Sequence, residues 1–104
     1  MPEGGVRCSR CGRSFEKEDC VASISAKIMG DDCTDSYYWC EACAVYTIRL
    51  YRDVFTGPET AHDSEPIPKE EGDRRLAVIR SCPEPNDERC RCDGHREYFG
   101  DWLD

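Results

Sequence analysis

Two Cys-x2-Cys pairs, Cys8/Cys11 and Cys40/Cys43, constrain this chain more than any other feature. Each pair can present two thiolates to one ion, and together they complete a four-sulfur tetrahedral shell. Zinc is the expected occupant, and iron, which accepts the same ligand spacing, is the alternative. A shell closed by four protein ligands leaves no position for water, so such a centre stabilises a fold and does not activate a nucleophile.

Nine cysteines in 104 residues suit either a secreted disulfide scaffold or a metal protein. The opening Met-Pro-Glu-Gly-Gly lacks the basic and apolar regions of an export signal. The longest aliphatic run, Leu76-Ala77-Val78-Ile79, is far short of the roughly 20 residues that span a bilayer. A cytoplasmic protein with no membrane partner is therefore expected, its thiols reduced and open to metal. An odd cysteine count also fits a purely disulfide framework poorly. Lysine and arginine total 14 against 22 aspartate and glutamate, a formal charge of −8. That balance opposes the counterion-release binding on which nucleic-acid modules depend, so no nucleic-acid partner is expected.

Along the chain, Cys8-Ser9-Arg10-Cys11-Gly12 reads as a zinc knuckle, with Gly12 free to take the positive φ that such a turn needs. Ala22, Ile24, Ala26 and Ile28 alternate with Ser23, Ser25 and Lys27, the mark of a half-buried strand. Gly30-Asp31-Asp32 is turn chemistry, and Tyr37-Tyr38-Trp39 suits a returning strand. From Glu41 to Phe55, the spacing of Ala44, Ile48, Tyr51 and Phe55 predicts a helix stopped by Gly57-Pro58, with Cys40 and Cys43 at its first turn.

The order of knuckle, hairpin and helix-borne second Cys-x2-Cys resembles the treble-clef group of zinc fingers over Val6 to Phe55. The resemblance implies one structural zinc shared by Cys8, Cys11, Cys40 and Cys43. It implies little about function, because the group includes ubiquitin-ligase, lipid-binding, ribosomal and nucleic-acid-binding members. The expected class is thus α+β, a small metal-stabilised domain with an irregular C-terminal segment. Residues 1–56 form the core, 57–73 a linker rich in proline and charge, and 74–104 a Cys/His-rich segment packed on the core.

That last segment holds Cys82, Cys90, Cys92 and His95. Three thiolates and an imidazole form an accepted zinc shell, which would raise the count to two ions; a disulfide or uninvolved thiols are the alternatives. Cys20 and Cys33 either pack as small apolar groups or join two C-terminal ligands in an interleaved, cross-braced wiring. His62, alone among polar residues, reads as solvated. Leu76 to Ile79 is consistent with a short buried strand, but the run is too short to exclude a helix.

On the predicted helix, Tyr46, Leu50 and Val54 form a second apolar stripe. The C-terminal region can cover it through Leu76, Val78, Tyr98, Phe99, Trp102 or Leu103; otherwise it docks a partner protein or a second copy. The acidic, aromatic tail from Glu97 to Asp104 is the other candidate docking peptide. No His-Glu-x2-His spacing and no Gly-rich phosphate loop accompanies the cysteines, so no catalytic residue is expected. The reading is a structural zinc protein acting as an interaction or scaffolding module, with thiol redox or metal transfer as the alternative.

Overall fold

A computed structural model describes residues 6–54 and 57–100. Its class is α+β: five antiparallel strands and two helices, with Cys/His clusters at two places. β1 (Cys20–Ile28) and β2 (Asp31–Cys40) form the expected hairpin. The turn lies one residue earlier than expected. Met29 and Gly30 both have positive φ, 53° and 88°, the backbone of a two-residue primed turn whose twist matches the strands. Met29 is 73% exposed at this position.

The helix predicted after Cys40 is instead a strand, β3 (Val45–Asp53), paired with β2 along its whole length. The treble-clef order therefore ends at the hairpin. Tyr46, Ile48 and Leu50 face the main core, while Val45 and Thr47 are buried on the opposite face. A strand buried on both faces loses its alternation, and the four-three-four spacing of its apolar residues then imitates a helix. Its β-branched and aromatic content, Val45-Tyr46-Thr47-Ile48, was the better guide.

The stretch read as a linker also carries structure. β4 (Glu59–Asp63) pairs with the second half of β3, and β5 (Ile67–Pro68) with its beginning. Pro66 and Pro68 are compatible with this because β5 is short and at the sheet margin. Pro68 then leads directly into α1 (Lys69–Arg80). Leu76 to Ile79 belongs to α1, not to a strand: Gly72, Leu76 and Ile79 are buried at helical intervals of four and three. Gly72 is required by close approach, since a Cβ there would lie 2.0 Å from Cδ2 of Tyr46.

The second helix, α2 (Asp93–Phe99), packs beside α1 on the same face of the sheet. Ile24, Tyr37, Tyr46, Ile48, Leu76 and Ile79 form the main core, with Leu50, Tyr98 and Phe99 against it. Tyr46 is thus buried in the core, and Leu50 is half-buried against it, covered in part by the C-terminal helices. Val54 follows β3, and its carbonyl accepts from the amide of Gly57. Phe55, Thr56, Trp102, Leu103 and Asp104 lie outside the described residues. A smaller core on the other face joins Val6, Cys8, Phe15, Cys40 and Val45, with Phe15 stacked on Tyr38 at 5.4 Å.

β1 is the outer strand of its side of the sheet. Its outward amides at Ser25 and Lys27 donate to the carbonyls of Pro85 and Glu88 at 2.7 and 3.3 Å. The segment between the helices therefore runs along this strand and occupies its hydrogen-bonding groups. No helix of the described residues is long and apolar enough to cross a membrane.

Candidate metal centres

The N-terminal centre is made of two turns facing one another. In the first, Cys8 N–H donates to the carbonyl of Arg13 and Gly12 N–H to that of Cys8, with Gly12 at φ 79° as its sequence position required. A bridge between Arg7 and Ser14 closes the base of this knuckle. The second turn connects β2 to β3. Cys40 ends β2 opposite Val45, and Ala44 takes φ 54° to let the chain reverse after Cys43. Ser9 ties the two turns together, its amide and hydroxyl both 3.0 Å from Oγ1 of the buried Thr47.

The ligand atoms of Cys8, Cys11, Cys40 and Cys43 all lie within 4.8 Å of one another. A tetrahedron with metal–sulfur bonds of about 2.3 Å has sulfur–sulfur edges of about 3.8 Å. Cys11 and Cys40 are 3.9 Å apart, far beyond a disulfide and close to that edge. Protonation behaviour points the same way. Burial opposes ionisation of Cys8, yet the amides of Cys11 and Arg10 and the thiols of Cys40 and Cys11 donate to it and bring it down to about 6. Cys43 is pushed up to about 12, chiefly by its hydrogen bond to Cys11, then by burial and by Cys40 and Cys8. The four thiols thus interact too closely to ionise independently. Arg13 hydrogen-bonds the Cys40 sulfur, which raises its own pKa, and it also pairs with Asp19 at 3.5 Å.

The C-terminal centre gathers Cys82, Cys90, Cys92 and His95, again with all ligand atoms within 4.8 Å. Cys82 follows the end of α1, Cys90 comes from the inter-helix segment, Cys92 is the N-cap of α2 and His95 lies in its first turn. Cys82 and Cys90 are 3.5 Å apart, and Cys92 Sγ is 3.7 Å from His95 Nδ1, near the spans a tetrahedral ion sets. Cys82 Sγ to Nδ1, at 3.0 Å, is closer than an ion between them would leave it. Cys92 is lowered to about 6, first by the His95 amide that donates to it, against burial, with help from Cys82 and Cys90. Cys82 is pushed up to about 12, first by burial and then by its bonds to Cys92 and Cys90.

His95 is fully buried, and its Nε2 lies 2.8 Å from the carbonyl oxygen of Ser25 on β1. A carbonyl only accepts, so Nε2 carries a proton, and Nδ1 is the atom that would serve a metal beside the sulfurs. This partner had no signal in the sequence, since 70 positions separate the two residues.

Cys20 and Cys33 join neither group among the described residues. Their thiols donate to the carbonyls of Ala22 and Asp31, and burial raises both pKa values. The interleaved wiring is thus not the one the fold brings together. His62 lies on exposed β4, opposite Leu50. All nine cysteines are free thiols, and the two four-residue groups fit a metal-binding protein. No protein-family model, no curated protein and no solved structure matches this chain.

Proposed function

We propose that this chain is a structural zinc protein, binding two ions and presenting the surface of its metal-braced sheet to a protein partner as an interaction or scaffolding module. The observation that carries it is the completeness of both donor sets: four side chains converge at each centre, with sulfur dominant in one and three sulfurs plus an oriented imidazole in the other. Such shells suit zinc and leave no vacant position for a reacting water, which favours a non-enzymatic role. The reducing cytoplasm is the compartment that would keep nine thiols available. With −8 formal charge, further increased by thiolate ligands, basic or neutral protein surfaces are favoured over nucleic acid or a second copy.

Elemental analysis of untagged protein tests the reading. Two zinc ions per chain are expected, and a colourless solution, because four-cysteine iron absorbs visible light. One ion or none would reject the two-centre assignment. Retention of both ions through cycles of glutathione oxidation and reduction would exclude the redox alternative, which requires the pairs to cycle at a defined potential.

A further inference from the structure

Away from both centres, α1, α2 and the sheet border an open cavity of about 420 Å³. That size lies within the range of small-molecule sites. Three arginines line it: Arg52 from β3, and Arg74 and Arg75 from α1. Their concentration is notable in a chain with 14 basic against 22 acidic residues. Val78 and Phe99 supply an apolar wall.

The carboxylates that pair with these arginines leave much of their donor capacity unused. Arg52 Nη1 donates to Asp35 Oδ1 at 3.0 Å and to the carbonyl of Tyr51. Asp35 is only 6% exposed, and its other oxygen accepts from the Tyr98 hydroxyl at 2.8 Å, so it is saturated internally. Arg74 and Arg75 share one carboxylate, Glu71, at 2.5 and 2.7 Å, and Arg75 also hydrogen-bonds Tyr37. Three guanidiniums therefore share two carboxylates. A guanidinium has five N–H groups, and at all three residues some of them lie outside these bonds. Glu97 also lines the cavity and, among the described residues, forms no ion pair with the three arginines.

We infer that this cavity binds a small organic anion, its carboxylate or phosphoryl oxygens held by Arg52, Arg74 and Arg75 and its apolar body against Val78 and Phe99. Planar guanidinium forks match such oxygens in paired hydrogen bonds, as a lysine could not. Glu97 lines the same cavity, and its carboxylate opposes the charge of a bound anion.

The test uses the metal-replete full chain at low ionic strength, titrated with phenyl phosphate, benzoate and neutral benzyl alcohol and followed by NMR. Saturable binding of an anion is expected, with shifts centred on the arginine Nε–H signals and on Phe99. Preference for phenyl phosphate or for benzoate identifies the headgroup. Arg74 is exposed and bonds only Glu71, so Arg74→Gln should fold normally and weaken the anion about tenfold through loss of a charge-assisted contact. Glu97→Gln should strengthen it. No saturable binding by either anion, equal affinity for benzyl alcohol, or unchanged affinity in both folded Arg74→Gln and Arg52→Gln would overturn the inference.

Discussion

The two metal centres use the same chemistry in opposite architectural roles. The N-terminal centre is made of two tight turns, each bringing a pair two residues apart, and it lies where β2 passes into β3 in the middle of the sheet. The C-terminal centre draws on a helix end, a loop, an N-cap and a helical turn, and its imidazole reaches across to the margin of the sheet. An ion in the first would brace the turn between β2 and β3; an ion in the second would join α2 and the inter-helix segment to the end of α1, beside β1. Ligand spacing reflects this difference, being regular where one turn supplies two ligands and irregular where several elements meet.

Removing one ligand from each centre separates these roles most sharply. Cys40 is fully buried between the two turns. Structural zinc contributes about 10 to 16 kcal/mol in peptide systems, comparable to the ~5 to 15 kcal/mol stability of a whole domain. Cys40→Ser should therefore unfold the chain, seen as collapse of amide dispersion in its NMR spectrum. Native dispersion in that variant would equalise the two centres.

Cys90→Ser should act locally. One ion is lost, and hydrogen exchange accelerates at α2, at residues 83–92 and at the outward amides of Ser25 and Lys27, while β2 and β3 remain protected. Exchange rising equally across the β2–β3 pair would mean that the C-terminal centre supports the whole sheet.

Smaller still is the effect of Gly72→Ala, which touches neither centre. The added methyl meets the Tyr46 ring and should cost about 1 to 3 kcal/mol by overpacking, measured by urea denaturation with both ions retained. An unchanged midpoint would show that α1 can move away from β3 freely.

The finest comparison converts one shell into the other. His95→Cys offers a fourth sulfur but removes the bond to Ser25, worth about 1 kcal/mol. Two ions should remain, with exchange raised chiefly near Ser25. Loss of the second ion would mean that the imidazole is indispensable to the shell.

What the sequence disclosed follows the same division. The Cys8/Cys11 knuckle, the positive φ of Gly12 and the β1–β2 hairpin were legible because each depends on residues a few positions apart. β3 was hidden by burial on both faces, where Val45 and Thr47 meet the knuckle while Tyr46 and Ile48 meet α1. The strands within 57–73 were hidden by their composition, since pairing to β3 is a property of the partner and not of Glu59 or Pro68. The cavity arginines come from β3 and α1, and their convergence required the correct assignment of both.

The bonds from Ser25 and Lys27 to Pro85 and Glu88 have a consequence for behaviour in bulk solution. An unprotected outer strand is a template on which other chains can add. An ion held by Cys82, Cys90, Cys92 and His95 would close the segment that shields β1, so mild chelation should leave a folded sheet with a newly adhesive margin. Association of such molecules would be seen as rising light scattering that increases with protein concentration and reverses when zinc returns. On the proposed two-ion reading, the second ion would guard the chain against pairing with its own copies, a duty distinct from holding it folded.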